Sequence, residues 1–443
     1  MYITTEPYKF EGYWSFSKDQ SCWFSGVLEY SPQSHKIELR MWGSGEVVDL
    51  DFQTDTIIGR TADNKKITLL NCMVRESHNY TPLESRANSA NAKSFLHVVE
   101  ANRILIGEHY NNINDISYSS LSIIYSDQLD FIQTAGFECD HSQGSYSITY
   151  NEPNEIVLLK THTIEIKICF FGNFGDFRRI TNESSIVQEE YFYITFPESH
   201  DLNFLREEIN MLKYFIAFSI SKDIIPLQCS FADSEPERIY LLAGAFFKTK
   251  RNDSPDFLRR KKIIEIDDFQ NIPDLYEKWR VLFSKKESAI YKFFSTINSD
   301  HYFLDEGFHH LVLAFEDYHR NSPGFPQTVT SSGKDVPLKT RIDSVFDKFQ
   351  KQLSYLFKDL SEQERVIKLI RNSRDFLTHG GVVRKRESVK DPNSYFYLTD
   401  LLISMIALMI LNDLGFSQSV IKEKIWHLPA YMSLVNTDWS VVK

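Results

Sequence analysis

Four residues separate Arg374 from His379 in the stretch Ile367–Gly381, which reads IKLIRNSRDFLTHGG. An arginine and a histidine held near a helix C-terminus can divide the work of phosphate chemistry. The guanidinium stabilises charge on phosphate oxygens while the imidazole passes protons. Asp375 and His379 stand in an i,i+4 relation, from which a carboxylate can orient the imidazole and hold its tautomer. The surrounding pattern supplies the frame. Val366, Ile370, Ser373 and Leu377 recur at helical spacing as one buried stripe. Gly380 and Gly381 then offer positions free to adopt positive φ, so the helix should stop just past His379. On an ideal helix the Arg374 and His379 side chains point about 140° apart. Either Arg374 uses its length, or the last turn unwinds. The residues alone also allow a plainer reading, in which Arg371, Arg374 and Asp375 form a solvated, salt-bridged face and His379 is a polar end residue.

Other chemistries find less support. The chain holds 13 histidines, so an Arg/His pair at a permitted spacing arises readily by chance. Arg103 and His109 make such a pair, but in an alternating, strand-like segment. Side chains six residues apart on a strand sit about 20 Å from each other, too far to share one phosphate. Glu306 and His310 are an i,i+4 pair without an HExxH motif or a third ligand, and the adjacent His309 and His310 cannot both face one metal on a helix. Neither a P-loop nor a GxSxG elbow occurs. No metal and no cofactor are expected.

The 443 residues suggest two or three domains, and 42% hydrophobic with 25% charged residues is the balance of a chain with packed cores. Its net charge of −11 argues against indiscriminate nucleic-acid binding but leaves room for a local basic patch. Five scattered cysteines without a CxxC pair fit a reducing cytoplasm better than a zinc site or a disulfide framework. The N-terminus lacks a signal-peptide pattern. The most apolar run, Leu401–Leu411, is too short for a membrane span of about 20 residues and reads as a buried helix or a subunit interface.

The elements that must position the motif fall into two halves. Residues 1–252 are written in strand language. Lys36–Trp42 alternates cleanly and follows the apolar run Cys22–Tyr30 through SPQSH, a hairpin signature. Lys66–Met73, Ser94–Ile106, Leu121–Tyr125, Ser145–Tyr150, Ile156–Lys160, Thr163–Phe171 and Tyr191–Phe196 read as further strands, implying a sandwich or barrel. Asp201 should cap a helix carrying Leu205, Ile209, Leu212 and Ile216, with two more strands after it, around Ile225–Phe231 and Arg238–Phe247. Residues 253–270 read as a polar, basic linker. From 271 to 443 every apolar pattern has helical period. Helices are expected over Leu275–Ile297, Phe303–Arg320, Leu338–Leu356, the motif stretch and about Tyr395–Leu414, forming an up-and-down bundle. The fold class is therefore multidomain α+β, a β-rich sandwich or barrel followed by an all-α bundle.

The order LVLAFEDYHR (Leu311–Arg320), LKTRIDSVF (Leu338–Phe346) and IRNSRDFLTHGG resembles the HEPN superfamily, whose ribonucleases carry Arg, a polar residue, three further residues and His. Arg374, Asp375 and His379 fit that pattern position for position. The N-terminal half, with FEGYW, CWFSGVLEY and YFYITFPESHDLNFLREEINMLKYF, looks like that of ApeA-type bacterial antiphage proteins. The resemblance implies a cytoplasmic, metal-independent endoribonuclease, a toxin of abortive infection. RNA would be the substrate, a homodimer or higher oligomer would form through the bundle, and a phage-derived trigger would act on the β-rich half. Arg374 would hold the phosphate and His379 act as general acid or base. Glu316, on the second helix of the bundle, matches a polar position facing the motif, and equally reads as a surface glutamate. For RNA phosphates the basic runs Arg384, Lys385, Arg386 and Arg259, Arg260, Lys261, Lys262 are the candidates. A catalytically silent HEPN scaffold binding nucleotide or protein is the alternative.

Overall fold

The computed structural model describes all residues except 1, 17–21, 46–52, 81–92, 143–144, 175–185, 234–237, 244–261, 273, 298–302, 321, 323, 326–334, 381–387, 390 and 443. The chain divides into two compact units. The first holds residues 1–129, 133–213 and 224–256, the second residues 130–132, 214–223 and 257–443.

In the first unit the strands β1 (Tyr8–Phe16), β2 (Phe24–Ser31), β3 (Lys36–Gly45), β4 (Gln53–Thr61), β5 (Lys66–Tyr80) and β6 (Lys93–Glu100) close into a barrel. The order around it is β1-β2-β3-β6-β5-β4 and back to β1, every pairing antiparallel. Period-two alternation puts Leu28, Tyr30, Ile37, Leu39, Met41, Ile57, Ile67 and Leu69 inside, around a fully buried Trp14. The indole fits only because two neighbours lack a Cβ. One added at Gly59 would lie 2.2 Å from the ring, and one at Gly26 would lie 2.7 Å from it.

A second run of strands leaves the barrel at β5. It passes through β7 (Arg103–Ile106), β15 (Ile239–Ala243), β14 (Pro226–Ala232), β8 (Ser117–Tyr125), β13 (Ile186–Asp201) and β12 (Glu165–Phe174) to β11 (Ile156–Lys160). β9 (Phe137–Ser142) and β10 (Ser145–Tyr150) form a separate hairpin. The architecture is thus a closed barrel with an open sheet attached. The stretch Ser94–Ile106, expected as one strand, breaks at Ala101–Asn102. Two backbone hydrogen bonds, Ala101 N–H to Ile37 and Asn102 N–H to Leu70, fix the corner between β6 and β7.

The described helices begin with the short α1 (Gln128–Ile132) and the long α2 (Leu202–Ile220). Asp201 caps α2, its carboxylate accepting from the Asn203 and Phe204 N–H groups at 2.8 and 2.9 Å. In the second unit Phe215 of α2 meets Tyr276 and Trp279 edge-on, near the short α3 (Asp268–Asn271). The bundle follows with α4 (Leu275–Ile297), α5 (Leu304–Arg320), α6 (Leu338–Lys348), α7 (Gln350–Leu353), α8 (Leu360–His379) and α9 (Pro392–Asp413), and ends in α10 (Gln418–Lys424) and α11 (Pro429–Leu434). The helix expected over Leu338–Leu356 stops at Lys348, because Phe349 leaves helical geometry at φ −111° and ψ 32°. The apolar run Leu401–Leu411 sits inside the 22-residue α9, which is long and apolar enough to cross a membrane. Here it is the core helix, with Leu401, Leu402, Met405, Leu408 and Leu411 wholly buried.

Two polar clusters tie α5 to its neighbours. In the first, Lys286 of α4 donates to Asp413 of α9 at 2.9 Å and to Ser322, and lies 3.7 Å from the centre of the Tyr318 ring. Tyr318 also donates to Asp413 at 3.1 Å. In the second, Arg341 of α6 is fully buried and donates to the His319 Nδ1 at 3.2 Å, to Asp335 and to the Val336 carbonyl. Since arginine only donates, His319 must be the neutral tautomer with its proton on Nε2, directed at Ser344 Oγ 2.8 Å away. Burial, then the charges of Arg341 and Lys286, push the His319 pKa down to about 4. In the unfolded chain the imidazole returns to its ordinary value of 6.5. Between those values the unfolded chain binds the extra proton, so this stability is complete above pH 6.5 and is lost as pH falls through 4. A thermal melt series from pH 7 to pH 4 should show the bundle losing up to about 3 kcal/mol from this group, and His319→Gln should flatten the slope.

Candidate active site

The sequence of α8 writes its two ends clearly. Asp359 accepts from the Glu362 N–H at 2.9 Å, and Glu362 reaches back to the Lys358 N–H at 2.8 Å, a variant of the capping box. At the other end Gly380 takes φ +65°, and its N–H meets the Phe376 carbonyl at 2.7 Å. The helix stays regular through His379, so the last turn does not unwind. Val366, Ile370 and Ser373 are buried as the stripe requires, and Leu377 is half-buried. Ser373 Oγ accepts the Val389 N–H at 2.9 Å, which brings the chain beyond the motif back against α8.

Arg374 leaves this frame toward α5. One guanidinium nitrogen lies 3.2 Å from both oxygens of Glu316, and the other lies 3.1 Å from Asp375. The side chains of Arg374 and Glu316 are 27% and 13% exposed, so the pair is shielded without being sealed. Burial opposes the charge on Arg374, yet Glu316 and Asp375 outweigh it and raise its pKa above the ordinary arginine value. The Arg374 Nε is buried without a hydrogen-bond partner among the described residues. His379 is the last residue of α8, exposed, about 7.5 Å further along the axis by the helical rise.

Arg374, Asp375 and Glu316 therefore converge. Asp375 is engaged with Arg374 and makes no hydrogen bond to His379 among the described residues. The basic runs fare differently. Arg384, Lys385, Arg386, Arg259, Arg260 and Lys261 lie outside the described residues. Lys262 needs a correction as an RNA contact. It is 5% exposed and donates to the Phe131 carbonyl at 2.7 Å, and burial lowers its pKa to about 8. The wholly buried Ile263 and Ile264 draw it inward with them. The Arg103/His109 pair does no joint work either, since the His109 ring bonds the Gly59 carbonyl at 2.7 Å.

One histidine close enough to feel the Arg374 charge was read from the sequence only as half of an unsuitable metal pair. His309 lies two turns before Glu316 on the same face of α5. Burial lowers its pKa, with His310 and Arg374 adding to the effect and Glu316 opposing it. The i,i+7 spacing from Glu316 was the available signal, and it gained meaning only once α5 and α8 were seen to share an ion pair.

A β-rich unit followed by a helical bundle, with Arg374, Asp375 and His379 at one helix end, is the arrangement expected of a HEPN-bearing protein. The family model of the ApeA N-terminal domain 1 matches residues 9–279, and that of the Apea-like HEPN matches residues 287–420. Comparison with curated proteins and with solved structures gave no match. The chain belongs to the ApeA family, carrying an ApeA N-terminal domain and an Apea-like HEPN domain. These families point to antiphage HEPN proteins, and HEPN domains are usually ribonucleases.

The Arg374–Glu316 contact can be weighed by a double-mutant cycle in urea. Glu316→Ala should cost about 1–3 kcal/mol, because it leaves a shielded guanidinium short of a partner. Adding Arg374→Ala should cost less than the sum of the single changes.

Proposed function

We propose that this chain is a metal-independent endoribonuclease of bacterial antiphage defence, cutting RNA by transesterification at Arg374 and His379. In this reading the RNA's own 2′-hydroxyl attacks the neighbouring phosphorus, so the route needs no metal-bound water and is closed to DNA. As the bond to the 5′-oxygen breaks, charge grows on the phosphoryl oxygens, where Arg374 stabilises it. His379 takes the proton of the 2′-hydroxyl or returns one to the leaving oxygen. Glu316 and Asp375 hold the guanidinium ready. Two protons move in each turnover, and a second copy of the bundle supplies the second proton-transfer group. The protein would act in the cytoplasm as a homodimer or larger assembly, with the N-terminal unit answering a phage-derived trigger.

The observation that carries this reading is the half-shielded Arg374, fixed between two carboxylates, on the helix whose end presents an exposed His379. One observation favours a different reading, a HEPN scaffold without catalysis. Arg374 already spends its charge on Glu316 and Asp375, as a purely structural arginine would. Purified protein and labelled RNA separate the two. Arg374→Ala and His379→Ala should each slow cleavage by about 100-fold or more while the melting curve stays cooperative. EDTA should leave the wild-type rate unchanged. Wild-type protein that cuts no RNA, even with infected-cell extract added, would favour the scaffold.

A further inference from the structure

The open sheet of the first unit holds a cavity of about 250 Å³ that the nuclease reading does not use. Its floor follows from strand register. β8 runs between β13 and β14, placing Ser122 opposite Tyr193 on one side and Ser230 on the other. Two residues away, Ser120 lies opposite Thr195 and Ala232. Directly paired residues in antiparallel strands project from the same face, and alternate residues along one strand do too. Ser120, Ser122, Ser230, Thr195 and Tyr193 therefore bring five hydroxyls to one surface. Short serines on the central strand leave it recessed beside the larger Tyr193. Arg238 closes the far side. It precedes Ile239, the partner of Phe231, and so stands level with Ala232.

One hydroxyl of this face has a donor and acceptor to spare. Ser230 is 2% exposed, and its hydroxyl has no hydrogen-bond partner among the described residues. A buried hydroxyl left unpaired opposes folding, and this one borders the cavity, where a ligand's polar group can reach it. Ser120 meets its need at the Ala232 carbonyl, 2.8 Å away. Asp233, also in the lining, has one carboxylate oxygen taken by the Ser119 N–H at 2.9 Å and the Ser199 hydroxyl at 3.2 Å. Arg238 is exposed, and its positive charge reaches across to Tyr191 on β13. One guanidinium above a bed of hydroxyls suits a ligand that is an oxyanion at one end and hydroxylated at the other. The cavity is smaller than the roughly 300–1,000 Å³ of pockets for drug-sized ligands.

We propose that this cavity binds a small phosphate monoester of a hydroxylated ring, a sugar phosphate or a mononucleotide. Arg238 would pair with the phosphoryl group, and the serine floor would receive the ring hydroxyls. The site is independent of the chemistry at Arg374, so either assignment can fail without the other.

Isothermal calorimetry on the full chain tests it with ribose 5-phosphate, adenosine monophosphate, inorganic phosphate and ribose as probes. The expected result is saturable binding of at least one phosphate ester, tighter than inorganic phosphate and absent for ribose. Binding of both esters assigns recognition to the sugar phosphate, and binding of the nucleotide alone adds the base. Arg238→Ala should weaken the Kd at least tenfold, as should Ser122→Val, which fills the floor while keeping a residue suited to a strand. Circular dichroism melts verify that both variants fold. The proposal is overturned if neither ester binds, if ribose binds as well as ribose 5-phosphate, or if folded Arg238→Ala binds unchanged.

Discussion

A guanidinium partly withdrawn from water needs carboxylates beside it, and here Glu316 and Asp375 meet that need from two helices. Much of the helical unit can be understood as the means of holding Arg374 in that place. Its length lets it leave α8 and reach α5, where both oxygens of Glu316 receive it. Because the pair is only partly buried, neither full desolvation nor free hydration applies. The guanidinium keeps contact with solvent while the two carboxylates hold it in place. In the proposed reading a substrate phosphate would compete with the two carboxylates for the same planar donors, so the pair would serve at once as a mount for the arginine and as a restraint on it.

Glu316 can do this only if α5 is immobile. The buried lysine–aspartate pair between α4 and α9 draws in Tyr318, and the buried Arg341 of α6 draws in His319. These clusters hold adjacent residues two and three positions beyond Glu316. Removing one member of such a pair leaves an uncompensated charge in a dry interior, a far larger cost than losing a surface bridge. α8 is stiff for a different reason, since both its ends are capped by side chains or glycine from its own sequence.

The apolar periods made most of this legible from the chain alone. Helical spacing in Leu275–Ile297 and in the stretch before His379 located α4 and α8, and alternation in Lys36–Trp42 located β3. The corner at Ala101–Asn102 and the end of α6 at Phe349 were not legible, because the apolar pattern runs on through both. β1 was hidden by Gly12, a poor strand former by propensity. A Cβ there would come within 2.2 Å of the Arg60 carbonyl oxygen, so the close approach of β4 demands it. Arg374 and His379 were visible as a spacing, whereas the engagement of Arg374 with Glu316 joins residues 58 positions apart. No local pattern encodes that. Lys262 misled for the opposite reason, since a run of four basic residues looks solvated until the two isoleucines after it are placed.

The central claim is that the attacking group belongs to the RNA itself. The most direct measurement uses two oligonucleotides identical except for one 2′-deoxy sugar at the mapped cleavage position, each incubated with the purified full-length protein. The account predicts that the all-ribose strand is cut there to leave a 2′,3′-cyclic phosphate and a free 5′-hydroxyl, and that the deoxy-substituted strand stays intact at that bond. Cleavage of the deoxy-substituted bond at a comparable rate would contradict it.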